Sequence, residues 1–396
     1  MPKILEAKLK SNIWKYYFYE IMDGMFFSVP IMVLFWQENG LSLSQIMILQ
    51  SLYSIAAVLL EVPTGYFADV FGRKKTLALG GLFWALGIIT YSLGYNFYQF
   101  LIAEMLFALG SSFKSGADSA IVYDTLVELK QEDLYKKIWG NARFLGMATM
   151  GLAGIIGAFV GKSGLRLTLY ISIPFFLMQF FIALFFKEPT KHEAPSETSK
   201  IKEMFNIVKQ ALLKNVQLKW LIIYGAIIFA FNQSALWLYQ PYFKITGLDI
   251  VYFGLVFASF QIVAAFSAKY AHRLENILGQ KFSLIMLPIL IGVSYLLMNN
   301  FIFLFSFSFC FLQQFVRGFS DPVISDYLNK LTPSHTRATI LSIKALAGRL
   351  IYAAIIPFIG WVADIYSLTQ ALFILGITIL IIGAAGLLML KKVKVI

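Results

Sequence analysis

Along this chain apolar residues gather in runs of about twenty, separated by short stretches rich in Gly, Asn, Pro and charge. A helix rises 1.5 Å per residue, so a run of that length covers the roughly 30 Å hydrocarbon layer of a bilayer. Twelve such runs occur, at 13–37, 43–64, 76–95, 98–124, 139–161, 166–186, 219–243, 250–271, 282–298, 301–328, 338–362 and 367–390. The pattern predicts an all-α membrane protein of twelve transmembrane helices. Composition agrees: 59% of residues are hydrophobic and 14% charged, where a soluble domain carries about a quarter charged. The first run lacks a small-residue cleavage site and is long enough to span, so it reads as a helix and not as a removable leader.

The positive charge is distributed by side. Lys3, Lys8, Lys10, Lys15, Arg73, Lys74, Lys75, Lys130, Lys136, Lys137 and the terminal "KKVK" fall on one side, and Lys162, Arg166 and Lys244 on the other. Positive charge is retained on the cytoplasmic side, which places both termini there. The net charge of +12 is scattered over loops, so no nucleic-acid surface is expected. Cys310 stands alone, and His192, His272 and His335 lie in polar connections, which gives no disulfide and no metal or cofactor site. "GKSGLR" at 161–166 lacks the frame of a phosphate-binding loop. With no catalytic cluster or HExxH pattern in view, an enzyme is not expected.

One hydrophilic connection is long. "KEPTKHEAPSETSKIKEMFNIVKQALLKN" (187–215) begins as a flexible linker and continues over 201–214 as an amphipathic surface helix. It divides the chain into a bundle at 1–187, a linker at 188–217 and a second bundle at 218–396, with six spans on either side. The halves repeat weakly. "FKSGADSAIVYDTL" (113–126) aligns on "FVRGFSDPVISDYL" (315–328) at an offset of 202, and "ENGLSLSQI" (38–46) on "ITGLDIVYF" (245–253) at 207. "GRK" (72–74) falls on "GQK" (279–281) at the same 207, so two similar offsets in order argue for a duplicated six-helix unit.

The polar stretch "GYFADVFGRKK" (65–75) resembles the loop between helices 2 and 3 of the major facilitator superfamily, with Gly65, Asp69, Gly72, Arg73 and Lys74 in register and Val70 where that family usually has Arg. "PSHTRATILSI" (333–343) looks like the helix 10–11 loop of its drug-transporting branches. "KEP" after the sixth span is similar to a common ending there. The fifth span, with Gly146, Gly151, Gly154, Gly157 and Gly161, is similar to the glycine-rich helix of drug:proton antiporters but lacks their Gly-Pro dipeptide. The resemblance implies a transporter of two pseudo-symmetric bundles, in which Gly65 and Gly72 allow close approach and a turn, and helices 1, 4, 7 and 10 line a cavity.

Charge at membrane depth costs at least about 2.5 kcal/mol per group on insertion scales, so it is paired or functional. The candidates at membrane depth are eight acids and five bases. Lys114 with Asp118 and Arg317 with Asp321 are spaced i,i+4 and are expected to pair. Asp124 with Arg143 and Asp326 with Lys344 are expected to close the inner gate. Lys114 and Arg317 are alternatively anion ligands. That leaves Glu20, Asp23, Glu61 and Glu104 against Arg349, an acidic surplus. Asp23 is the first candidate proton carrier, then Glu20, then Glu104, because a buried carboxylate without a fixed partner is readily protonated; Arg349 neutralising one of them is the competing reading. Asn232, Gln233 and Trp237 in the seventh span are candidates for the cavity wall. The expectation is a monomeric, proton-coupled carrier of a small organic solute, exporting an amphipathic or cationic compound. Uptake by symport is the alternative, and a sensor or lipid-handling protein on the same scaffold is a third.

Overall fold

The computed structural model describes residues 3–189, 215–333 and 336–396, all helix and connection. The expected amphipathic helix at 201–214, His192 and His335 lie outside these residues. Six spans precede residue 189: α1 (Lys3–Gly24) with α2 (Met32–Glu38), α3 (Leu43–Phe71), α4 (Arg73–Leu93), α5 (Phe97–Lys114) with α6 (Ala117–Glu128), α7 (Tyr135–Gly161) and α8 (Leu165–Leu184). Six follow residue 215: α9 (Val216–Ser234) with α10 (Tyr239–Ile245), the run α11 (Phe253–Asn300), which holds two spans, α12 (Cys310–Lys330), α13 (Arg337–Ile365) and α14 (Leu368–Lys392). Nearly all of these are long and apolar enough to span. The exceptions among the described residues are the fourth and tenth, α5–α6 and α12, whose charges lower their hydropathy.

The duplication is visible in the backbone. Gly72 ends α3 with φ 99° and ψ 160°, and Gly279, 207 residues later, breaks α11 with φ 71° and ψ 166°. An L side chain rarely adopts such a conformation, so both turns need glycine. The first and seventh spans are both interrupted, at residues 25–31 and 235–238. The fourth is interrupted at Ser115 and Gly116 (φ 78°), whereas its repeat mate α12 runs through without a break.

Contacts divide the chain into two compact units, one of Met1–Leu41, Leu52–Ala194 and Ile250–Ala258, the other of Ser42–Ser51, Pro195–Asp249 and Ser259–Ile396. In the first unit, glycines of the fifth span permit close packing. A Cβ at Gly157 would lie 1.8 Å from the Phe27 carbonyl oxygen, and one at Gly254 2.3 Å from that of Gly154, whereas Gly151 meets nothing nearer than 4.0 Å. Arg166 fastens the end of α4 by donating to the carbonyls of Ser92 and Gly94 (both 2.7 Å) and to Asn39 Oδ1 (2.6 Å). It also lies 3.9 Å over the Tyr95 ring, so this outer-side cation is a structural fastener.

Two helix N-termini receive carboxylates from far along the chain. Glu188 accepts from the Arg73 and Lys74 amides at 2.6 and 2.8 Å, capping α4. In the second unit, Asp364 accepts from the Leu43 and Ser44 amides at 2.9 and 2.7 Å and from the Ser44 hydroxyl, capping α3. Each satisfies amides that have no partner within the helix and opposes the positive end of its dipole.

Replacing Gly157 by Ala is expected to destabilise the folded protein by about 1–3 kcal/mol, since backbone must move to admit the methyl, while Gly151→Ala leaves the melting temperature unchanged. Thermal unfolding of the two purified variants checks this. Glu188→Ala is expected to cost about 1 kcal/mol by the loss of a helix cap, also read as a lowered melting temperature.

Candidate functional site

The last turn of α1 presents Glu20 and Asp23 one turn apart, on one helix face. Beside them α5 ends at Lys114, where a cation complements the negative end of the helix. Lys114 Nζ lies 2.9 Å from Glu20 Oε1 and 2.8 Å from Asp23 Oδ2. Gln179 of α8 donates to the other Asp23 oxygen at 2.7 Å, and Arg143 of α7 reaches Glu20 Oε2 at 3.5 Å. The Lys114 ammonium also stands 5.3 Å from the centroid of the Tyr19 ring. Packing holds this geometry: a Cβ at Gly146 would meet Glu20 Oε2 at 3.3 Å, and one at Gly80 the Lys114 amide nitrogen at 3.3 Å. Tyr16, Tyr19, Ile121, Val122, Ala142 and Ala183 form the apolar cluster around it.

Access is graded across the three partners. The Glu20 side chain is 3% exposed, Lys114 12% and Asp23 30%, so Asp23 is the carboxylate that solvent reaches. A third acid, Asp118, is buried in the first turn of α6 and accepts from the Ser119 amide at 2.6 Å. Three acids thus meet two bases, and a proton added to Asp23 or Glu20 brings the cluster to balance.

Several expected pairs rearrange. Lys114 bonds to α1 and not to Asp118, because the break at Ser115–Gly116 ends the helical register that i,i+4 spacing assumes. Arg143 turns to Glu20, and Asp124 is 3.7 Å from Arg73 Nε. Arg73 also donates to Asp69 at 2.9 Å, joining α3, α4 and α6 around the turn at Gly72. In the second unit Asp321 accepts from Lys344 at 2.6 Å, five residues before the expected Asp326, which takes Lys330 at 2.7 Å. Arg317 is left with Gln261 Oε1 at 2.7 Å. Gly65 is exposed, with nothing within 4 Å of a would-be Cβ, so close approach is not its role here; Gly72 provides the turn and Lys74 its amide to Glu188.

Of the other candidates, Glu104 accepts from Tyr91, ten residues before Lys114 on α5 and so about 15 Å along the helix from the cluster. Trp237 donates to the Tyr352 hydroxyl at 2.9 Å. Asn232 and Gln233 are half-buried, and the Asn232 Oδ1 atom is buried without a hydrogen bond among the described residues. Arg349 is exposed on α13, and the acids of α1 are neutralised by Lys114 and Arg143. Sequence reasoning missed Gln179, Glu188 and Asp364. A lone amide in the apolar sixth span was a signal for the first, and the acid of "KEP" for the second.

Comparison with known proteins places this architecture. The chain is 24% identical over 361 residues to the uncharacterized MFS-type transporter YxaM of Bacillus subtilis, covering 85% of each. It is 24% identical over 341 residues to the uncharacterized transporter BU466 of Buchnera aphidicola, covering 81% of this chain and 82% of that one. A shorter match, 23% over 177 residues, joins it to the uncharacterized MFS-type transporter MJ1560 of Methanocaldococcus jannaschii, of which 43% is covered. Among solved structures, the nucleoside transporter NupG superposes with a TM-score of 0.80 at 14% identity over 99% of this chain and 100% of that one. An inward-facing bacterial homolog of the human lysosomal transporter Spinster gives 0.74 at 14% over 99% and 98%. The family model of the Major Facilitator Superfamily matches residues 17–350. A match that begins in α1 and runs into α13 takes in both halves of the repeat and the charge cluster between α1 and α5: the chain belongs to the Major Facilitator Superfamily and is a multi-pass membrane transporter of that family.

Proposed function

We propose that this transporter is proton-coupled, moving a small organic solute by alternating access, with Asp23, Glu20 and Lys114 as the coupling centre. The observation that carries the reading is one buried ammonium held by two carboxylates at 2.8 and 2.9 Å. With both acids ionised the lysine bridges them and ties α1 to α5. Protonating Asp23 removes one of the two attractions and leaves Lys114 to Glu20, so the proton state is written into how firmly the two broken spans are joined. Asp23 is the carrier because it is the more exposed acid, and Gln179 supports its other oxygen in either state. Arg143 keeps a countercharge on Glu20 when Lys114 shifts. The acidic excess of the cluster supports an amphipathic or cationic solute exported in exchange for protons. Symport uses the same three residues with solute and proton moving together. We place the protein in a bacterial cytoplasmic membrane, where a proton gradient is available.

The test uses proteoliposomes with a pH-sensitive dye inside, challenged with a panel of organic cations, nucleosides, dipeptides and organic acids. A solute-dependent internal pH change is expected in the wild type, its sign separating exchange from symport, and Asp23→Asn is expected to abolish it while retaining solute binding. Proton movement that persists in both Asp23→Asn and Glu20→Gln defeats the assignment. The cluster also predicts a stability pattern. Lys114→Met leaves two buried acids without their shared cation and is expected to cost about 3–5 kcal/mol. Adding Glu20→Gln to that variant is expected to restore part of the loss in a thermal melt.

A further inference from the structure

The second unit holds a cation of the opposite kind. Arg317 lies seven residues into α12 and thirteen before its end, about 10 and 20 Å respectively at 1.5 Å per residue. That is the middle of a spanning helix. Asp321, the acid one turn on, is taken by Lys344. Among the described residues Arg317 has no carboxylate within ion-pair distance, and its one side-chain hydrogen bond goes to a neutral amide, Gln261 Oε1, at 2.7 Å. A guanidinium has five N–H donors in a planar fork suited to two oxygens at once. Keeping such a charge at membrane depth with one neutral acceptor is costly unless something else supplies the anion.

The groups beside it are polar and incompletely used. Gln313 and Gln314 precede Arg317 by four and three residues, on its side of the helix. Both are buried. Gln313 accepts from the Tyr239 hydroxyl at 2.6 Å and Gln314 donates to it at 2.9 Å. That arrangement leaves Gln313 Nε2 and Gln314 Oε1 buried without a partner among the described residues, and a buried polar atom without a partner calls for explanation. The hydrogen bonds of both amides to one phenol, with their spacing from Arg317, place amides, phenol and guanidinium in one neighbourhood. Its other side is aromatic: Phe260, next to Gln261, packs at 5.3 Å between ring centroids on both Tyr239 and Phe311.

We propose that Arg317, with Gln261 and Gln313, receives the oxyanion of the transported solute, a carboxylate or phosphate attached to an apolar or aromatic body. The guanidinium supplies charge and a bidentate fork, Gln313 Nε2 a further donor, and the Phe260–Tyr239–Phe311 wall a surface for the apolar part. This rests on the transporter reading above and, of its two solute classes, keeps the amphipathic one, as compounds bearing an anionic group on an apolar body, in place of the simple cation.

Isothermal titration of the purified full-length protein, at constant ionic strength and without a pH gradient, compares four probes of one shape: benzoate, phenyl phosphate, benzamide and benzylammonium. Wild type is expected to bind benzoate or phenyl phosphate at least about tenfold more tightly than the neutral and cationic probes, and whichever anion binds identifies the head group. Arg317→Gln is expected to lose that preference. Gln261→Glu, nearly isosteric, supplies the missing carboxylate internally; it is expected to melt no lower than wild type and also to lose anion binding. Four equal affinities, no binding of either anion, or a Gln261→Glu variant that binds anions as wild type does would overturn the proposal. Because no proton movement is read here, either outcome is separate from the Asp23 test of coupling.

Discussion

Everything in the first unit's interior is arranged around the cost of an ammonium in hydrocarbon. Lys114 is tolerable where it stands because two carboxylates approach it within 3 Å and an aromatic ring lies beside it. Those acids are in turn tolerable because Gln179 and Arg143 share the load. Remove any one and a buried charge is left exposed to a low dielectric, which costs far more than a pair contributes in water. The same requirement explains the glycines. Carboxylate and ammonium can meet only if helix axes come close, and Gly80 and Gly146 are where a side chain would push α4 from α5 or α7 from α1.

Interrupting a helix in a membrane would normally strand backbone amides and carbonyls. Here the interruptions are matched to charge. α5 ends in a lysine, at the helix end where positive charge is favoured, and α6 begins with Asp118 in its first turn, at the end where negative charge is favoured. Glu188 and Asp364 apply the same rule at the starts of α4 and α3, from residues more than a hundred positions away. Fixed partial charges at helix ends thus do much of the work of holding acids in place. Each such contact is also one that a proton on the acid weakens.

How far this was legible from sequence depended on whether a feature was local. The number of spans, the duplication and the glycine turn at 72 with its mate at 279 follow from run length and two similar offsets; the helices carry the first, and the matching backbone angles at the two glycines the last. The list of charges within the spans was legible too, since any charge inside a twenty-residue apolar run identifies itself, although Arg349, Asp321 and Asp326 prove exposed. Who pairs with whom was not. The i,i+4 pairing fails at Lys114 and Asp118 because Gly116 breaks that helix, and at Arg317 and Asp321, in an unbroken helix, because Asp321 turns to Lys344 on the next span. Cross-helix choices such as Asp321 instead of Asp326 for Lys344 turn on five residues of depth, about 7.5 Å. Span boundaries are not known that finely from hydropathy.

The two halves descend from one pattern, and their difference is where function enters. Lys114 and Arg317 fall within one position of each other when 113–126 is laid on 315–328. In the first half the helix breaks just beyond the cation, which is met by two acids of its own unit. In the second half the helix continues, the nearby acid turns to Lys344, and the cation keeps only an amide. A cation already neutralised within its unit responds to protons, because protonation changes its partners. A cation left without an acid responds to whatever anion arrives. On the readings proposed above, this divergence in pairing gives one half a role in coupling and the other a role in recognition, with no new fold or helix in either.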